Sequence, residues 1–199
     1  MTTTLTPDEA VERLAGGAVI GLPTDTVYGL AASLAHPEAI DTLFRLKQRP
    51  TSVALPVLIE GVEQALALGV AWPTAARQLA ARYWPGPLTI IVAVPEALAT
   101  LVGATSSIGF RIPDDPLVLS VLRQSGPLAV TSANLHGEPP CTSAHDVASR
   151  FSAEPNFSGV LDGGERRGDV SSVVDLSLAH WELKREGAIT RAELAALLD

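Results

Sequence analysis

The chain has 199 residues, 47% of them hydrophobic and 18% charged, which suits one domain with a sizeable core and excludes long disorder. Fourteen Lys and Arg against 22 Asp and Glu leave a net charge of −8, so most of the surface repels a polyphosphate backbone and any role on nucleic acid needs a local basic patch. The single cysteine, Cys141, rules out an intramolecular disulfide and a cysteine-based zinc site, and the four histidines show no paired ligand spacing, so no protein-held transition metal is expected.

Thr6 reads as an N-cap, with Pro7 at the first helical position and acidic residues in the first turn, predicting a helix that ends at Gly16-Gly17. Residues 18–22 read as a buried strand running into G-L-P-T-D-T-V-Y-G-L at 21–30. There Thr24 and Thr26 flank Asp25, while Pro23 and Gly29 permit a sharp turn whose backbone groups can face a ligand. Residues 37–47 carry apolar Ala39, Ile40, Leu43, Phe44 and Leu46 at helical spacing and deliver Lys47-Gln48-Arg49 at the helix end. A strand at 54–59, helices at 62–68 and 74–82, and a β-prone run at 88–94 follow.

Farther on come a strand at 107–112, a helix at 116–124, a strand at 128–131 and a helix at 143–151 with Ser143 as N-cap. Strands at 160–161 and 173–176 are separated by a hydrophilic loop at 162–171, read as a mobile surface loop, and 191–198 is a short helix. The alternation predicts a single α/β domain with a twisted mixed sheet, helices packed on it and active-site loops at strand ends. Apolar-to-polar breaks recur at 84–89 (W-P-G-P-L-T), 109–113 (G-F-R-I-P) and 131–134 (T-S-A-N), so several strand ends are expected to line one cavity.

No run approaches the about 18 apolar residues of a membrane span, since 88–102 is interrupted by Pro95 and Glu96. The opening M-T-T-T-L-T-P-D-E lacks the basic start and apolar block of a signal peptide, and a cytoplasmic protein is expected.

Each candidate group has a bland and a sharp reading. Lys47 and Arg49 sit with Arg45 at a helix end, where cations complement the dipole, yet Pro50 fixes where Arg49 points, which suits an anion clamp. Arg111 lies in the apolar frame I-G-F-R-I-P and needs an anion: a structural carboxylate such as Asp114 or Asp115, or a ligand's acidic group. Ser132 and Asn134 follow a strand as turn formers and caps, or as a hydroxyl and an amide offered to a ligand. Cys141 has no evident base and reads as a packing residue. No P-loop, G-x-G-x-x-G or G-x-S-x-G motif occurs, so a nucleotide would have to be held differently and a serine hydrolase is not supported.

P-T-D-T-V-Y-G-L, L-K-Q-R-P, W-P-G-P-L-T, R-I-P, S-A-N, D-G-G, S-S-V-V-D-L and L-K-R-E-G-A-I-T occur in the order seen in YrdC-like threonylcarbamoyl-adenylate synthases, which the chain resembles from about Ala18 to Ile189. The resemblance implies a twisted α/β sheet with a large concave positive cleft, and a reaction joining L-threonine, bicarbonate and ATP into threonylcarbamoyl-AMP and pyrophosphate for tRNA threonylcarbamoyladenosine synthesis. It implies that Thr26 touches threonine, that Lys47 and Arg49 touch the phosphates, and that Ser132, Asn134, Thr142 and Arg185 hold the nucleotide. Arg111 would serve the anionic centre, and Ser171 and Ser172 would close over threonine and phosphate.

Magnesium would arrive with ATP. Lysine and arginine donors, hydroxyls and that ion would stabilise the charge that accumulates as pyrophosphate departs, without a protein nucleophile. Downstream partners would be the proteins that transfer threonylcarbamoyl to tRNA, with no strong direct tRNA binding and no membrane. Val53 and Leu58 stand where several relatives carry Asn and His, so one edge of the threonine pocket is expected to be more apolar. No C-terminal domain of the kind found in longer relatives is expected.

Two rivals remain. One is a non-enzymatic RNA-binding, translation-associated module, disfavoured by the charge of −8 and 5% aromatic content. The other is a same-fold paralogue using another amino acid or a carbamoyl donor.

Overall fold

A computed structural model describes residues 3–48, 53–135, 137–166 and 170–199. Arg49 and Pro50, on which one half of the expected anion clamp rests, lie outside the described residues. The elements are β1 (Thr4–Leu5), α1 (Pro7–Ala15), β2 (Val19–Leu22), β3 (Gly29–Ser33), α2 (Pro37–Lys47), β4 (Val57–Leu58), α3 (Val62–Ala67), α4 (Thr74–Tyr83) and β5 (Leu88–Ala93). They continue with α5 (Glu96–Leu101), β6 (Ser107–Arg111), α6 (Pro116–Ser125), β7 (Leu128–Ser132), α7 (Ala144–Phe151), β8 (Phe157–Leu161), β9 (Ser172–Asp175), β10 (Glu182–Arg185) and α8 (Arg191–Leu198).

The strands form one mixed sheet in the order β1-β8-β2-β3-β7-β4-β6-β5-β9-β10. β8 is parallel to β1 and β2, β4 to β6, and β5 to β9, whereas β2/β3, β3/β7, β4/β7, β5/β6 and β9/β10 are antiparallel.

Local chemistry sets the helix starts. Thr6 and Thr190 each form a reciprocal capping box with a glutamate, Glu9 and Glu193. Ser143 accepts from the Asp146 N–H, and Asp115 accepts from Leu117 and Val118, so orphan amides of α7 and α6 are satisfied by side chains.

Side-chain alternation splits the sheet into two faces. On one, α1 and α6 pack Ala10, Leu14, Val118, Val121 and Leu122 against Ile20, Leu22, Ala31, Leu58, Leu128 and Val130. The opposite face carries the larger core, in which Leu30, Ile90, Phe110 and Val174 meet residues of α2, α4 and α7. The α1–α6 layer stops short, and the same face of β6, β5 and β9 is the floor of a cavity.

The structure departs from the sequence reading in several places, among them the short strands β1 and β10, for which no strand was expected. β3 was not anticipated, because G-L-A-A-S has no β-branched residue; its small side chains are wholly buried in the sheet. The strand expected at 54–59 shrinks to β4, and the run expected at 88–94, found as β5, is followed by a helix, α5, that was not expected. The loop after β8 is pinned at its start: Tyr28 Oη donates to the Gly164 carbonyl at 2.8 Å and accepts from the Gly163 N–H at 3.1 Å. Arg166 then pairs with Asp115 at 2.7 Å.

Candidate active site

A cavity of about 520 Å³ opens on the sheet face that α1 and α6 leave bare, within the usual size of a small-ligand site. Its floor is built by alternate residues of neighbouring strands: Val130 and Ser132 on β7, Gly109 and Arg111 on β6, Thr89 and Ile91 on β5, Val173 and Asp175 on β9. Strand ends do contribute, as the sequence implies, but the broad floor is a sheet face rather than a ring of termini. Gly109 keeps that floor open to its neighbour, since a Cβ there would sit 2.6 Å from Thr89 Cγ2.

The turn between β2 and β3 supplies one wall. Thr24 and Thr26 are buried, and their hydroxyls lie 2.8 Å apart. Arg111, at the end of β6, points into this turn with its guanidinium held in three directions. Nε donates to the Gly86 carbonyl at 3.0 Å, Nη1 to Thr26 Oγ1 at 3.1 Å, and Nη2 to Asp25 Oδ1 at 2.5 Å. The expected structural partners, Asp114 or Asp115, are therefore replaced by Asp25, because Asp115 is committed to the α6 cap and to Arg166. Burial pulls the Arg111 pKa down, Asp25 opposes that shift, and the like charge of Arg185 adds to it. Two like-charged guanidiniums on one cavity wall make it a place where an anionic group would be favoured.

Arg185 reaches in from the edge strand β10, donating from Nε to the Ser171 carbonyl and from Nη2 to Ser171 Oγ, both at 2.9 Å. Ser171 Oγ also lies 3.1 Å from Thr89 Oγ1, so the beginning of β9 is tied to the cavity floor. Ser172 is turned away: its hydroxyl donates to the Ile189 carbonyl at 2.6 Å and accepts from the Gly187 and Ile189 amides, each at 2.9 Å.

On the facing wall, the end of α2 meets the end of β7. Lys47 is only 3% exposed, and its ammonium donates to the Ser132 carbonyl at 2.8 Å, to Ser132 Oγ at 2.9 Å and to Asn134 Oδ1. Asn134 Nδ2 donates to the Leu135 and Glu138 carbonyls at 2.9 and 2.5 Å, which fixes the amide's orientation. Ser132 and Asn134 line the cavity, with Lys47 directly behind them. Thr142 is not among the lining residues; its carbonyl accepts from the Arg166 N–H at 2.8 Å.

Of the candidate residues, Thr26, Arg111, Ser132, Asn134, Ser171 and Arg185 share the cavity wall, Lys47 supports it, and Ser172 and Thr142 brace neighbouring turns. Leu58 lines the cavity, so an apolar edge is present there. Several polar groups on or beside the wall were not singled out from the sequence as site residues, among them Asp25 as the anion for Arg111, Thr89 on the floor, Glu138, and Asp175 on β9. Period-two alternation along 89–91 and 173–175 was the available signal for Thr89 and Asp175. Cys141 is buried, and burial raises its thiol pKa, as befits a packing residue. Among the described residues no helix is long and apolar enough to cross a membrane.

A ten-stranded mixed sheet with an arginine-bearing polar cavity on its uncovered face defines an α/β domain of one recognisable class. The family model for Sua5, YciO and YrdC proteins, described as telomere recombination, matches residues 12–187, and the chain belongs to that family. It is 37% identical over 195 residues to the threonylcarbamoyl-AMP synthase of Bacillus subtilis, covering 96% of this chain and 56% of that protein. It is also 37% identical over 167 residues to the threonylcarbamoyl-AMP synthase of Stenotrophomonas maltophilia, covering 80% of this chain and 87% of that one.

The crystal structure of Pyrococcus abyssi Sua5 complexed with L-threonine superposes with a TM-score of 0.87 at 33% identity, over 96% of this chain and 57% of that one. Escherichia coli YciO shares the fold, with a TM-score of 0.83 at 23% identity over 94% and 92% of the two chains. The chain thus spans a little over half the length of the Bacillus subtilis and Pyrococcus abyssi relatives.

Proposed function

We propose that this chain forms threonylcarbamoyl-AMP from L-threonine, bicarbonate and ATP, releasing pyrophosphate. The observation that carries the reading is the convergence of Arg111, Arg185, Ser132 and Asn134 on one cavity, backed by Lys47, in a protein of net charge −8. It is supported by relatives bearing that activity's name and by the threonine complex of the Pyrococcus abyssi protein.

In this reading the threonine amine takes up carbon dioxide or bicarbonate, and the resulting N-carboxylate attacks the α-phosphorus as pyrophosphate leaves. Arg111 and Arg185 attract the anionic groups. Ser132 and Asn134, held by Lys47, orient the nucleotide, and Arg49, whose place in the sequence motif suits a phosphate contact, completes the clamp. Thr142 and Ser172 act from behind the wall, and Ser171 closes over the substrates.

The wall mixes Arg111, Arg185 and hydroxyls with the carboxylates of Glu138 and Asp175, and among the described residues no three His, Cys, Asp or Glu side chains gather as a metal cage, which fits magnesium carried by the nucleotide's phosphates; when bound it neutralises phosphate charge. The product passes to proteins that transfer threonylcarbamoyl to tRNA, in the cytoplasm, without strong direct tRNA binding, because a tRNA must also meet an acidic exterior.

The test is pyrophosphate release with ATP, bicarbonate and each amino acid in turn. Release is expected only when L-threonine and bicarbonate are both present. Release that persists without threonine overturns the assigned substrate.

A further inference from the structure

The hydrogen bonds of the β2–β3 turn have a fixed direction. Thr24 Oγ1 lies 2.7 Å from the Val27 carbonyl, which has no proton, so the Thr24 hydroxyl proton must sit on that bond. Thr26 Oγ1 lies 2.8 Å from the same Thr24 oxygen, whose proton is already spent and which also accepts, over a longer 3.2 Å, from the Thr26 and Val27 amides. The proton between the two hydroxyls therefore belongs to Thr26. Arg111 Nη1, itself only a donor, occupies one lone pair of Thr26 Oγ1 at 3.1 Å. What Thr26 offers the cavity is its other lone pair.

Resting on the reading of this cavity as an amino-acid site, we propose that Thr24 is a specificity-setting residue: by holding the Thr26 proton it makes Thr26 an obligate hydrogen-bond acceptor, matched to the substrate's amino group. The surroundings agree with this polarity. Asp25 Oδ1 takes a neighbouring nitrogen of the same guanidinium without lining the cavity, so Thr26 stands as an acceptor on the wall next to Arg111. Donors beside acceptors complement the two ends of an α-amino acid head, carboxylate and amine. A ligand with a carbonyl in place of the amine would set lone pair against lone pair and leave a buried acceptor unpaired, which the site rejects.

Thr24 also lines the cavity, but with its hydroxyl proton on the Val27 carbonyl its proposed effect on the ligand is exerted through Thr26. The valine variant Thr24→Val keeps the side chain's shape but frees the Thr26 hydroxyl to rotate and donate.

Two measurements test this. In proton NMR of the wild-type protein, the Thr26 hydroxyl proton is expected as a slowly exchanging resonance close to Thr24; exchange at the rate of a solvent-facing hydroxyl overturns the proposal, whatever the protein's substrate. Competition binding with L-2-aminobutyrate and 2-oxobutyrate, which differ only in amine against carbonyl, is then compared across variants. The wild type and Thr24→Ser are expected to favour the amine, and Thr24→Val to lose about tenfold of that preference.

A turn that is merely propped up by Thr24 would weaken both ligands alike and leave the ratio unchanged, which overturns the proposal. If Thr24→Val does not fold, the ratio in Thr24→Ser and the wild-type resonance decide. Wild-type protein that binds no amino acid overturns the proposed function, and with it the matching to an amine, while the NMR result still reports on the hydroxyl order.

Discussion

Arg111 and Asp25, 86 residues apart in the chain, meet at 2.5 Å with side chains only 8% and 13% exposed. Asp25 holds the guanidinium against the Thr24–Thr26 turn, so the carboxylate is part of the site's construction and not an exposed turn residue. Replacing it by Asn leaves a buried cation facing neutral acceptors. We expect Asp25→Asn to lose about 3 kcal/mol of stability in urea unfolding, as removal of one partner of a buried pair does. A loss below about 0.5 kcal/mol would place Asp25 among the surface pairs.

Lys47 engages three oxygens at the end of β7. Lys47→Met keeps the apolar stem and removes the charge. Turnover should fall by about two orders of magnitude, as misplacing the groups that orient a substrate does, and the thermal midpoint should fall with it because Asn134 Oδ1 loses its donor. Unchanged turnover with a lowered midpoint would make Lys47 a structural charge only.

Ser132 and Asn134 separate on stability. Ser132 is partly exposed, and loss of its hydroxyl should cost less than about 1 kcal/mol while weakening ATP binding. Asn134 is 6% exposed and donates to the Leu135 and Glu138 carbonyls, so Asn134→Ala should cost about 2 kcal/mol as well as affinity. Calorimetric titration with ATP and a melting curve on each variant read the two effects independently.

The Cys141 thiol, buried and raised above its usual 9.0, is expected to resist alkylation at pH 8 in the folded protein and to react readily in denaturant. Stoichiometric labelling of the native protein within the time needed by a free thiol would contradict its place in the core.

The carboxyl of Glu193 is held below the usual 4.5, first by the Thr190 backbone amide and then by its hydroxyl. A lowered folded-state value stabilises above the unfolded pKa and is lost as the pH falls through the folded one. Glu193→Gln should therefore be less stable than wild type at pH 7, and the two melting temperatures should converge below about pH 4. A gap that persists at low pH would show that the effect is not the charge.

Most of the helices could be read from the chain because their signals are local. The Thr6–Glu9 box, Pro116 after Asp115, and Ser143 before Asp146 satisfy amides within a few residues of themselves, so the sequence contains both partners. The buried runs of β2, β5, β6 and β7 were legible for a similar reason: apolar residues persist over the length of a strand. β3 escaped because small residues carry no strand propensity by themselves and acquire burial only from β2 and β7 beside them.

The site divides in the same way. The candidacy of Thr26, Lys47, Arg111, Ser132 and Asn134, which the structure brings to or behind one cavity wall, is visible in motifs a few residues long, and the placement of Arg111 in an apolar frame determined that it needs an anion. Which anion it has, Asp25 and not the adjacent Asp114 or Asp115, is decided by packing, since Asp115 is drawn to a helix amide and to Arg166. That Lys47 lies behind Ser132, and that Ser172 turns away while Ser171 faces in, follows from a sheet order that brings α2 to β7 and β9 to β5. The sequence by itself thus determined the chemical types and their local settings. Pairing across tens of residues, and the bare sheet face that becomes the cavity, were decided only by tertiary structure, because register and layer coverage belong to several elements at once.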